Sequence, residues 1–185
     1  HRLHAALARA GGLDRLVSAL PLIKSRGVRL VVTGQGKGLD SEITRACETT
    51  AGVEDLGMVP ESRLVELAAA ADVLVNPRPL AFEDNRTNFP SKLLDYLSYQ
   101  KPIVSTRTAG IGPGYDGIVH FTASDSPADI AAGIDDVLSL STADHKAWMH
   151  RIAEAIDRLT PKQAAIDLTS WIESLTNPAV SVINC

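Results

Sequence analysis

A chain of 185 residues is long enough to bury one ordinary core without disulfides or metals. Its net charge of −4 argues against nucleic acid or an anionic membrane surface as a partner held by bulk electrostatics. Aromatics make up 4% of the chain, so the core must come from Leu, Val, Ile and Ala, and two cysteines (Cys47 and Cys185) form neither a disulfide framework nor a metal site, which points to a reducing cytoplasm.

Residues 1–11 are rich in Ala and Arg and carry His1 and His4, which read as a frayed or solvated terminus. Leu13, Leu16, Val17, Leu20 and Ile23 recur at helical spacing, and Gly27 is a suitable stop. Val28-Arg29-Leu30-Val31-Val32-Thr33 is a β-rich run that ends in Gly34-Gln35-Gly36-Lys37-Gly38, and a helix is expected over about 40–51. Strand, glycine turn and helix make the βα unit of a Rossmann-like half. No third glycine lies three positions after Gly36, so the six-residue dinucleotide fingerprint is not met. Gly34, Gln35 and Gly36 either let the backbone approach a ligand or form a plain tight turn.

A strand is expected over 53–59, closed by Gly57-Met58-Val59-Pro60, with a helix from Pro60 through the Ala68–Ala71 run. Asp72-Val73-Leu74-Val75-Asn76-Pro77 reads as a short buried strand for a central parallel position. It opens into a polar loop over 78–86, where Arg78 and Arg86 are candidates for bidentate phosphate contacts and the alternative is a solvated loop.

Thr87-Asn88-Phe89-Pro90-Ser91-Lys92-Leu93-Leu94-Asp95-Tyr96 is a loop turning into a helix. Pro90 suits the first helical position and Asn88 precedes it as an N-cap. Leu93, Leu94 and Leu97 make one apolar face; Lys92, Asp95, Tyr96 and Tyr99 lie on or near another. A helix start offers free N–H groups and the positive end of the dipole, both suited to phosphate. Asp95 lies about a turn further in, where a carboxylate can accept hydrogen bonds from sugar hydroxyls. Lys101 to Thr106 follows as a buried strand. A Gly-rich loop over 107–115 is expected to be flexible and to line a cleft rim. Ile118 to Phe121 forms a final short strand in which His120 reads as structural, and helices fill 127–140, 143–158 and 162–175.

The stretch around Asp95 resembles the donor-binding segment of retaining, family-four-type glycosyltransferases, whose GT-B fold is two facing Rossmann-like domains. That family carries two acids eight positions apart, with Phe-Gly between them and Leu before the second, then Gly-x-Pro-Val and a strand. Here the second acid falls on Asp95, the Phe on Phe89, the Leu on Leu94, and Pro102-Ile103-Val104 takes the place of the Pro-Val strand. Thr87 stands where the first Glu belongs, Pro90 replaces the Gly, and Gln100 replaces the Gly before the strand. Glu83, twelve positions before Asp95, is a candidate substitute for the missing acid.

The resemblance implies an α/β fold: a Rossmann-like parallel sheet with helices on both faces, one half of a GT-B pair. It implies that 1–185 is the nucleotide-sugar-binding C-terminal domain of a longer protein with an N-terminal acceptor domain. The region before α-helical Leu13 would hold a strand and a Gly loop facing the donor phosphates. The family often places an Arg and a Lys there; Gly11-Gly12 lacks the Lys, leaving Arg9 or Arg2. The backbone at Met58 and Val59 would meet the base, Thr87, Asn88, Phe89, Pro90, Ser91 and Lys92 the donor, and Asp95 the ribose. No metal and no cofactor is expected; a UDP- or GDP-linked sugar is the substrate. The full-length protein is expected in the cytoplasm, with peripheral association at the inner face of the membrane, acting in surface polysaccharide or lipid glycosylation. Trp171, Ile172 and Leu175 would brace the other domain or, more simply, pack on their own sheet. Two alternatives stay open: a nucleotide-sugar epimerase of the same architecture, and a non-catalytic nucleotide-binding or interaction domain.

Overall fold

Buried parallel strands read as nearly unbroken apolar runs, and three such runs set the centre and one flank of the sheet. The computed structural model describes residues 4–9, 12–34, 49–81 and 91–158. Within these, β1 (His4–Arg9), β2 (Val28–Thr33), β3 (Val53–Asp55), β4 (Val73–Asn76), β5 (Ile103–Ser105) and β6 (His120–Phe121) form one all-parallel sheet in the order β3-β2-β1-β4-β5-β6. The helices are α1 (Leu13–Ala19), α2 (Glu61–Ala70), α3 (Ser91–Ser98), α4 (Pro127–Leu138) and α5 (Thr142–Arg158). The chain winds outward from β1 to β3, crosses back to pair β4 with β1, then winds the other way. Right-handed crossovers therefore put α1 and α3 on opposite faces of the sheet. α1 packs with α4, and α3 with α5.

β2 buries its last four residues, and every residue of β4 and β5 is buried. α4 has a full N-terminal signature: Ser126 Oγ accepts from the Asp129 N–H at 3.1 Å and Pro127 follows the cap. α5 is fastened to the sheet edge by Trp148, whose indole N–H donates to Ile118 O at 3.0 Å from a buried site. No described helix is long and apolar enough to cross a membrane.

Several boundaries differ from the sequence expectation. His4, expected at a frayed terminus, opens β1 and pairs with Val28. α1 ends at Ala19 and passes into a 3₁₀ turn, Leu20–Leu22. Pro21 has no N–H to continue the helical ladder, so the apolar spacing through Ile23 overruns the helix. β3 stops at Asp55, short of Val59: the Leu56 N–H still donates to Val32 O at 2.9 Å, but Gly57 at φ +57° turns the chain away. Ile118 and Val119 are buried but hang on Tyr115 O through their N–H groups, so β6 holds two residues only.

The buried face of α3 is Leu93, Tyr96 and Leu97, while Leu94 is 47% exposed. Tyr96, expected outside, is 1% exposed: it shares the i, i+3, i+4 face of Leu93 and Leu97, and its phenol donates to Val75 O at 3.4 Å. The helices expected over 162–175 and, up to residue 48, over 40–51 lie outside the described residues, as do Cys47, Cys185, Trp171, Ile172 and Leu175.

Candidate functional site

In an open parallel sheet, the loops leaving the strands' carboxyl ends part company where the winding reverses, and the crevice there is the natural ligand position. That reversal lies between β1 and β4. The loop after β1 enters α1 through Gly12, in a left-handed conformation at φ +77°. It lies so close to the loop after β4 that a Cβ on Gly12 would stand 1.8 Å from Pro77 O. The two loops are in backbone contact across the switch point.

Arg78 follows directly. Its N–H donates to Asn76 O at 3.0 Å, and its carbonyl accepts from Thr106 Oγ1 at 2.8 Å. Beneath it, Asn76 Nδ2 donates to Ser105 Oγ at 3.0 Å, and Ser105 Oγ donates onward to Thr106 O at 2.9 Å. Asn76, Ser105 and Thr106 are all buried, so these bonds are made where unmade ones would be costly. The Arg78 side chain is half-buried with its Nε enclosed. A guanidinium on a backbone so held is suited to a diphosphate at the crevice.

The turns after β2 and β3 meet each other. The Gly34 N–H donates to Gly57 O at 2.7 Å, and the Gly57 N–H donates to Asp55 Oδ1 at 2.9 Å. Gly34 thus uses its N–H within the protein, so any approach to a ligand there runs through its neighbours rather than through this donor. Met58 is 69% exposed and Val59 half-buried on the turn that Gly34 braces.

α3 runs antiparallel to the strands it joins, so its Ser91 end lies at the carboxyl rim. Ser91 and Asp95 are exposed and Lys92 is half-buried. Leu93, Tyr96 and Leu97 lock the other side of the helix into the core, which leaves Asp95 aimed away from it. Gln35, Gly36, Glu83, Arg86, Thr87, Asn88, Phe89 and Pro90 lie outside the described residues.

The Gly-rich segment after β5 is more anchored than its composition suggests. Thr108 and Ile111 are buried, Pro113–Tyr115 forms a 3₁₀ turn, and Arg107 pairs with Asp116 while stacking 3.8 Å over the Phe121 ring. Burial raises the Tyr115 pKa, so its phenol stays neutral. His120 lies 3.5 Å from Asp136 and 6.5 Å, ring to ring, from Trp148, a structural setting at the sheet edge.

From sequence, Asn76, Ser105, Thr106 and Asp125 are assigned no role. A usable signal exists for the first three: Asn76 and Ser105 are polar residues closing otherwise apolar strands, and Thr106 follows directly. Asp125 gives none. A pocket of about 460 Å³ lies at the opposite, amino end of the sheet, lined by Leu20, Pro21, Ile23, Gly27, Val28 and Thr50. It presents no charged side chain, and the convergent polar groups are at the carboxyl rim. Among the described residues no three His, Cys, Asp or Glu side chains gather as metal ligands.

The family model of the glycosyl transferases group 1 matches residues 3–140. A glycosyltransferase from Rickettsia africae superposes with a TM-score of 0.71 at 17% identity, covering 96% of this chain and 49% of that one. HepE from Anabaena, in complex with UDP-glucose, gives 0.67 at 16% identity over 91% of this chain and 49% of that one. The catalytic domain of cholesterol-α-glucosyltransferase from Helicobacter pylori gives 0.62 at 14% identity, covering 83% of this chain and 99% of that one. No curated protein sequence matches the chain. The chain therefore spans about half the length of the Rickettsia and Anabaena proteins, and its fold is that of one Rossmann-like half of a GT-B enzyme.

Proposed function

The chain belongs to the glycosyl transferases group 1 family, and from that membership we propose that it is the donor-binding domain of a retaining glycosyltransferase that works without a metal. The observation carrying this reading is Arg78, held on a fully bonded backbone at the switch point, at the same rim as the start of α3. The donor is a nucleoside diphosphate sugar, UDP- or GDP-linked; the UDP-glucose held by the Anabaena neighbour favours UDP. The family match favours transfer over the epimerase alternative.

In this reading the diphosphate lies between the Arg78 guanidinium and the N-terminal turn of α3, where Ser91 N–H and Oγ donate. The helix dipole and the cation stabilise the charge that develops on the leaving diphosphate, the work a metal does in other transferases. Asp95, exposed one turn along α3, accepts from the ribose hydroxyls. The backbone at Met58 and Val59, on the turn braced by Gly34, meets the base. Transfer to a polysaccharide or lipid acceptor requires an N-terminal domain, and the whole protein works in the cytoplasm at the inner face of the membrane.

Calorimetric titration with UDP, GDP and ADP, with and without Mg²⁺, tests the reading. One nucleotide should bind equally well with and without Mg²⁺, and Asp95→Ala should weaken it at least about ten-fold, as expected for hydrogen bonds to a charged group. An unchanged dissociation constant in Asp95→Ala removes its assigned role. Failure of all three nucleotides to bind overturns the donor reading and leaves an interaction domain.

A further inference from the structure

Two loops of the carboxyl rim and the first turn of α1 meet on one carboxylate. Asp125 lies between β6 and α4, far along the chain from both its partners. Its Oδ2 accepts the Leu80 N–H at 2.9 Å and the Arg15 Nε–H at 3.1 Å. Arg15 is in the first turn of α1, just past the Gly12 contact with Pro77, and Leu80 is two residues beyond Arg78. The Arg15 and Asp125 side chains are only 25% and 24% exposed, which shields their pairing from solvent. Asn76 and Thr106 hold the Arg78 backbone directly, and Asp125 holds its downstream flank. Arg15 also pairs with Asp14 at 2.9 Å, so it keeps a counter-charge when Asp125 is replaced.

We infer that Asp125 is a positioning residue for donor binding: by clamping Leu80 and Arg15 it sets where the Arg78 guanidinium stands. The inference rests on the donor-domain reading for its consequence, though not for the clamp itself. Removing the carboxylate frees the Leu80 N–H and unties the far side of the Arg78 loop. Asp125 is outside the apolar core, so the sheet and its helices remain.

The test combines a double-mutant cycle on UDP affinity with amide exchange at Leu80. Asp125→Ala should weaken UDP binding about ten-fold, in proportion to a lost charge-assisted hydrogen bond. Asp125→Asn, whose amide oxygen still accepts from both N–H groups, should recover most of the affinity. In the Arg78→Ala background, Asp125→Ala should change affinity less than about two-fold, since the effect runs through Arg78. Equal losses in both backgrounds, or none in either, overturn the inference while leaving the donor reading intact. A wild-type protein that binds none of UDP, GDP and ADP refutes the donor reading instead, and where GDP binds in place of UDP the cycle is run with GDP. Leu80 exchange then judges the clamp alone: faster exchange in Asp125→Ala supports it, and unchanged exchange refutes it.

Discussion

Gly12→Ala tests the contact on which the switch point is built. A Cβ at this position would lie 1.8 Å from Pro77 O and 2.9 Å from Pro77 C, both backbone atoms that no rotamer change can move. Ordinary contact begins near 3.4 Å, so the two loops would have to separate by about 1.6 Å in a region packed at interior density. Overpacking of this kind costs about 1–3 kcal/mol. The left-handed conformation at φ +77° adds about 1–2 kcal/mol for a residue with a Cβ. The expected loss is therefore roughly 2–5 kcal/mol, a large share of the ~5–15 kcal/mol that holds a domain folded. In a thermal melt this corresponds to a fall of the order of 10 °C. Gly57→Ala is the control: its φ is +57° but a Cβ there meets nothing within 4 Å, so only the backbone cost of about 1–2 kcal/mol applies. Gly114→Ala has neither penalty and should stay within about 0.5 kcal/mol of wild type. Equal losses in Gly12→Ala and Gly57→Ala would show that the loops after β1 and β4 do not touch as described. Because Pro77 adjoins Arg78, nucleotide affinity should fall in Gly12→Ala even well below its melting temperature.

Gln100→Gly should stabilise the protein by about 1 kcal/mol, because Gln100 ends α3 in the left-handed region at φ +51°, where the family resemblance expects glycine. An unchanged or lower unfolding midpoint would refute the strain. Asp135 carries a pH dependence. Burial opposes its ionisation, but hydrogen bonds from the Lys24 and Ser25 N–H groups at 2.9 and 2.8 Å outweigh it and hold the carboxyl below its ordinary value. A depressed pKa stabilises the fold fully above the unfolded value of about 3.9, and that contribution is lost as pH falls through the lower folded value. The stability advantage of wild type over Asp135→Asn should shrink as the pH falls below about 4, read from urea midpoints; a constant difference would refute the assignment.

The local units are legible from residue order because each obeys a short-range rule. The apolar runs of β2, β4 and β5, the Ser126-Pro127 start of α4 and the turn at Gly57 are set by periodicity, capping and backbone freedom. Pro21 is as plain a stop for α1 as any in the chain, yet the leucine spacing runs through it; a missing N–H decides where spacing does not. The donor-family resemblance also comes from one continuous stretch, which is why Ser91, Lys92 and Asp95 can be named without a structure.

Composition and order along the chain thus determine most of the elements, their parallel α/β class and the family, but not β1 or several boundaries. Tertiary structure alone decides what depends on distant partners. The Ala- and Arg-rich segment before Gly12 becomes a central strand because β2 and β4 pair with both its edges, not through any propensity of its own. Of the two faces that helical spacing allows Leu93 and Leu97 to share, the packing of α3 buries the one with Tyr96, whose phenol reaches Val75 O, and leaves Leu94 outside. Asp125 acquires its role from Leu80 and Arg15, which lie 45 and 110 residues away. A hydrogen bond is directional and short, so its partners are fixed by where the sheet brings the loops together, and no spacing along the chain encodes that.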